Sequence, residues 1–153
     1  MPRKPVVSCE FYTKDLLVRL DTTIPGDAHA VQPLVRKVMT VVNEMGCAVG
    51  REFEIEHSLA EALNNAIEHG TKFDPSKRVQ CCVACDHSRG ILIVVRDPGP
   101  GFDPSSIPSP ITGSNIFSEG GRGIYLINQL MDEVRFEKGG TEIHMRMNPL
   151  DKG

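Results

Sequence analysis

Apolar residues recur along this chain with two different periods, and the change of period marks out its elements. In "DAHAVQPLVRKVMTVVNEMG", Val31, Leu34, Val35, Val38, Val41, Val42 and Met45 fall at three- and four-residue steps, and Gly46 ends the run. That spacing predicts an amphipathic helix, with Pro33 acceptable only near its first turn. "IEHSLAEALNNAIEHG" predicts a second helix, with Leu59, Leu63, Ala66 and Ile67 as its apolar stripe and His69 and Gly70 as stop signals. Strands are expected elsewhere. "DLLVRLDTTIP" has strand composition and closes on Pro25-Gly26, while "RVQCCVACD" and "GILIVVRD" are expected to pair around the turn "HSRG".

The pattern vanishes from Phe102 to Gly120, a stretch of Pro, Ser and Gly. So long a structureless run inside a compact domain is more often a lid or binding loop than a tether. "GRGIYLINQLMD" then opens a helix on glycine, and "EVRFEKGGTEIHMRMN" predicts a hairpin turning at Lys138-Gly139-Gly140. The order is strand, helix, helix, strand, strand, loop, helix, strand, strand. Hairpins outnumber βαβ crossovers, so the expected fold class is α+β: a two-layer α/β sandwich whose mixed, mostly antiparallel sheet carries helices on one face.

Composition narrows this picture without redirecting it. The 153 residues suit one domain, 1–153, and the 40% hydrophobic and 24% charged shares are those of a globular protein. A net charge of -3 gives no electrostatic reason to expect nucleic acid as a partner. No apolar run approaches the ~20 residues that span a bilayer, and "MPRKPVVSCEF" lacks the apolar core of a secretory signal, so a cytoplasmic location is expected. The five cysteines do not suggest a disulfide framework. On a strand Cys82 and Cys85 point to opposite faces, and Cys81 and Cys85 lie roughly 13 Å apart at ~3.3 Å per residue. Buried, reduced cysteines are expected rather than a metal or redox site.

Three stretches carry candidate chemistry. On the second helix Glu61, Asn64, Asn65 and Glu68 project away from the apolar stripe, with Glu61 and Asn65 one turn apart. Spacing alone fits a solvated face. Two adjacent asparagines in mid-helix, however, cost about 1 kcal/mol relative to alanine. An amide beside a carboxylate suits a hard cation, or a base that must accept a proton. In "RDPGPGFD", Asp97 follows the apolar run "ILIVV", and Gly99 and Gly101 either make a turn or let a flat ligand lie against bare backbone. In "GGRGIYLINQL", Gly121 and Gly123 precede or enter a first helical turn whose amides suit an anion such as phosphate. Arg122 between them either adds charge-assisted contacts to that phosphate or is an exposed helix-start arginine.

The series "EALNN", "DPGPG", "GRGIYLI" resembles the ATP-binding domain of the gyrase, heat-shock chaperone, histidine kinase and MutL (GHKL) superfamily, over roughly Asp15 to Met147. Within it, "EALNNAIEHG" and "GRGIYLINQLMDEV" are similar to the small bacterial anti-sigma-factor serine/threonine kinases. The resemblance implies ATP and Mg²⁺ as cofactors. It implies that Asp97 accepts a hydrogen bond from the adenine amino group, that Gly99 and Gly101 shape the adenine pocket, and that Thr141 lies near the base. It further implies Asn65 as the Mg²⁺ ligand, Glu61 as general base, Gly121 and Gly123 against the phosphates, and residues 102–120 as an ATP lid.

The implied function is that of a serine/threonine protein kinase and anti-sigma factor. It would phosphorylate an anti-sigma-factor antagonist of STAS type and sequester a sigma factor by partner switching, as a homodimer. The alternative is a nucleotide-gated binding regulator without phosphotransfer. A third reading, an ATPase of gyrase or MutL kind, would require the same carboxylate to activate water.

Overall fold

The computed structural model describes residues 18–46, 48–86, 90–99 and 126–148. Five strands form one sheet: β1 (Val18–Pro25), β2 (Arg78–Asp86), β3 (Gly90–Arg96), β4 (Glu133–Glu137) and β5 (Glu142–Met147), in the order β1-β2-β3-β5-β4. All four pairings are antiparallel. Two long helices, α1 (Val31–Met45) and α2 (Glu52–Asn65), connect β1 to β2. The α+β sandwich read from the periodicity is the fold, with antiparallel pairing throughout these five strands.

Each helix forms where its spacing places it. Pro33 sits in the first turn of α1, where its missing N–H has no intrahelical partner to lose. The chain enters that turn through a short 3₁₀ segment, Ala28–Ala30, capped by Asp27, whose side chain accepts from the His29 amide. Gly46 stops α1 at φ 70°, its amide reaching back to Val42 and Asn43. Leu34, Val35, Val38 and Val42 of α1 and Ile55, Leu59, Ala62 and Leu63 of α2 are buried against Val79, Cys81, Val83, Ile91, Ile93 and Val95 of the sheet. Burying each large side chain contributes about 1.5–3 kcal/mol. Ile127 and Met131, from the chain around the helical residues 126–130, join this core.

The continuous apolar run of β3 has a structural reason: it is the central strand and is buried along both faces. Its alternate residues Leu92 and Val94 pack with Cys82 and Ala84 in a second, smaller cluster on the side away from the helices. Cys81 and Cys82 are buried and not disulfide-bonded, and burial pushes the Cys81 thiol up to about 12, so it stays protonated at neutral pH. Cys85 corrects the expectation of reduced thiols, because it is disulfide-bonded. Strand alternation constrained only the cysteines of β2 among themselves, and the other half of this bond lies outside the described residues.

The second helix also ends differently from its prediction. After Asn65 the chain widens into a π-helical turn, Ala66–Thr71, and Gly70 lies inside that turn rather than beyond the helix. The stop falls at Lys72 and Phe73, both at positive φ (54° and 61°). The Lys72 and Phe73 amides both reach the Ile67 carbonyl, and the buried Thr71 hydroxyl donates to the same oxygen at 2.7 Å. These contacts hold two non-glycine residues in a conformation that costs roughly 1–2 kcal/mol each. Among the described residues no helix is long and apolar enough to cross a membrane.

Candidate active site

The widened turn delivers the end of the α2 segment to the end of β3. A Cβ on Gly70 would lie 2.3 Å from the Asp97 Cγ and 2.5 Å from its Oδ1, so only hydrogen fits there. The fit is reciprocal: a Cβ on Gly99 would meet the Gly70 carbonyl oxygen at 2.6 Å and its Cα at 2.7 Å. Two bare backbones thus close on either side of one carboxylate. Asp97 Oδ1 accepts from the Gly99 amide at 2.8 Å, which turns the chain sharply at the strand's exit. The Asp97 amide in turn donates to the Thr141 carbonyl at 2.9 Å, placing the start of β5 beside it.

Asp97 is half-buried, and its carboxyl is raised above the ordinary aspartate value. Burial is the main cause, opposed by the Gly99 amide and by the nearby His69. A carboxylate held this way gains from any donor that arrives with a ligand. An exocyclic amine is such a donor.

Glu61 and Asn65 lie one turn apart on α2 and are partly buried, whereas Asn64 is exposed. Asn65 is the last α-helical residue before the widening at Ala66. Such π turns recur at functional sites because they re-aim side chains that a regular helix would space evenly. No three His, Cys, Asp or Glu side chains among the described residues come together as a metal cage. A lone amide next to a carboxylate fits Mg²⁺ nonetheless, since that ion keeps waters and phosphate oxygens in most of its shell.

Thr141 is partly buried, and its hydroxyl donates to the Lys138 carbonyl at 2.9 Å. The structure therefore joins Asp97, Gly99 and Thr141 at one end of the sheet, next to the turn that follows Asn65. Gly101, Gly121, Arg122, Gly123 and the expected lid, residues 102–120, lie outside the described residues. Gly70, which the helical pattern makes a stop, instead packs against Asp97. The available signal was its neighbour: His69-Gly70 follows Asn65 by only one turn, too close to be independent of it.

The open antiparallel sheet, the helix layer and the glycine-flanked aspartate at the end of the central strand make up an α+β domain with one candidate site at the end of its sheet. The chain belongs to the histidine kinase-like ATPase domain family, which matches residues 24–147. Among curated proteins it is similar to the serine-protein kinase RsbW of Bacillus subtilis (strain 168), 28% identical over 124 residues that cover 77% of each chain. The protein of the same name from Bacillus licheniformis is 31% identical over 103 residues, 63% of this chain and 64% of that one. That from Halalkalibacterium halodurans is 28% identical over 125 residues, covering 78% and 75%.

Proposed function

We propose that this protein is an ATP-dependent serine/threonine kinase that phosphorylates an anti-sigma-factor antagonist and sequesters a sigma factor when the antagonist is phosphorylated. The observation that carries the reading is the enclosure of Asp97 between Gly70 and Gly99. It fixes a half-buried acceptor at the exit of β3 with glycine backbone packed on both sides, which suits recognition of a base bearing an amine. The similarity to proteins named serine-protein kinase supports transfer to a protein hydroxyl.

In this reading the Asp97 carboxylate receives the adenine amino group, Gly99 and Gly101 let the ring lie on backbone, and Thr141 borders it. Gly121, Arg122 and Gly123 take the phosphates, with residues 102–120 as lid. Asn65 holds the Mg²⁺, which when bound neutralises charge on the phosphates. Glu61, one turn away, orients the acceptor hydroxyl and takes its proton. Phosphoryl transfer depends mostly on such positioning and electrostatics. The product phosphate adds charge to the antagonist's docking surface and releases it. A homodimer in the cytoplasm is the expected form.

Transfer of phosphate from Mg-ATP to an antagonist-like protein, read by intact mass, tests this. Wild type is expected to add one phosphate, and Glu61→Ala to bind ATP but transfer at least ~10²-fold more slowly, the usual worth of a positioned base. ATP binding and partner capture without transfer in the wild type would leave a nucleotide-gated binding regulator. Steady hydrolysis without a protein acceptor would point to water as the substrate of the same carboxylate.

A further inference from the structure

Behind the site, on the sheet face turned away from the helices, a line of hydrogen bonds crosses four strands. Gln80 Nε2 on β2 donates to Asp21 Oδ1 on β1 at 2.9 Å, and Arg96 Nη1 on β3 donates to Gln80 Oε1 at 2.8 Å. Arg96 Nε donates to Glu142 Oε2 on β5, and the His144 Nε2 stands 3.0 Å from Glu142 Oε1. Glu142 and His144 are only 3% and 8% exposed. The strand register makes Arg96 the direct neighbour of both Gln80 and Glu142.

An ion pair with one partner buried and the other partly exposed is a poor source of net stability, since desolvation offsets much of the Coulombic gain. Its location suggests another use. Arg96 immediately precedes Asp97, and Glu142 immediately follows Thr141. The rung just beyond them is the bond from the Asp97 amide to the Thr141 carbonyl. Successive residues of a strand face opposite ways, so the pair lies behind the sheet while Asp97 meets Gly70 on the helix side.

We propose that Arg96 and Glu142 are positioning residues for the base-binding end of the nucleotide site. Their pair, braced by Gln80 and His144, pins the ends of β3 and β5 together and so fixes the Asp97 carboxylate relative to Thr141. The inference rests on the reading of Asp97 as the acceptor for the adenine amine. Its consequence is base discrimination. A carboxylate held in register accepts from adenine's amine and opposes the carbonyl oxygen that guanine presents in the same place. When the strand ends part, that opposition fades, while Asn65 on α2, at the phosphate end, is untouched.

The test is the affinity of the full chain for ATP and for GTP, each with Mg²⁺, by titration calorimetry. It compares wild type, Glu142→Gln, Arg96→Met and the charge-swapped pair Arg96→Glu/Glu142→Arg. Each single variant is expected to lower the ATP-over-GTP preference about tenfold, the worth of one hydrogen bond to a charged group, mainly through ATP. The swapped pair is expected to regain part of it, which a loss of bulk stability would not explain. Should a single variant fail to fold, Gln80→Met, which removes only the brace, is expected to lower the same preference by a smaller factor. Equal weakening of ATP and GTP, or an unchanged preference in the folded variants, overturns the proposal. A wild type that binds ATP and GTP alike overturns the reading of Asp97 itself, and this inference with it.

Discussion

Gly70 shows how much one hydrogen atom decides at this site. Its Cα faces the Asp97 carboxyl so closely that a methyl group would lie 2.3 Å from the Cγ. Gly70→Ala therefore has to displace Asp97 or the π turn, at a cost of about 1–3 kcal/mol for forced overpacking. We expect ATP affinity to fall tenfold or more by calorimetry, while circular dichroism shows the helices and sheet intact. The loss belongs to the carboxyl's position and not to Gly70 as a ligand, so Asp97→Ala in the same background should add little further. At this scale the sequence was legible for the placing of Asp97 and Gly99 at the exit of an apolar strand. Gly70 was not legible in the same way, because a glycine ending a helical pattern has an ordinary explanation and its true neighbour is 27 residues downstream.

At the scale of elements, α1 and the hairpins follow directly from periodicity. The apolar stripe of the second helix is buried, that of α1 is buried at Val31, Leu34, Val35, Val38 and Val42 but only partly at Val41 and Met45, with Met39 in the core besides, and the turn at Lys138-Gly139-Gly140 falls where expected. The exception is the end of the second helix. Nothing in "NNAIEHGTKF" distinguishes an α turn from a π turn by period, since six positions with so few apolar residues do not establish one. The choice is made by tertiary contacts at Thr71 and Gly70, and it leaves strain at Lys72. Lys72→Gly relieves that left-handed backbone by roughly 1 kcal/mol, for an expected rise in melting temperature of about 2–4 °C. A fall on thermal melting would mean that the lysine side chain contributes more than its backbone costs.

For the molecule as a whole, the sheet's two faces have different electrostatic duties. Glu142 is held below the ordinary glutamate range: burial opposes ionisation, but the bond with His144 and the Arg96 guanidinium outweigh it. A carboxyl more acidic folded than unfolded stabilises the fold above its unfolded pKa, and that contribution is lost as pH falls through the folded value. Acid unfolding followed by circular dichroism is thus expected to show a loss of stability beginning near the ordinary glutamate range. In Glu142→Gln this component of the pH dependence is expected to be missing. An identical acid profile in both would assign the transition to other carboxyls.

The sequence by itself determined the order of the described elements, the two-layer α+β arrangement and the placing of Asp97 and Gly99 at a strand's exit. These depend on spacing of apolar residues and on glycine, both of which act within a few positions along the chain. Only the tertiary structure decided that β3 is central and covered on both faces, and that the second helix widens after Asn65. It alone placed Gly70 against Asp97 and ran Arg96 and Glu142 together behind them. Those are contacts between strands and helices distant in sequence, fixed by register and close packing, and no local pattern encodes which backbone will lie within van der Waals reach of which side chain.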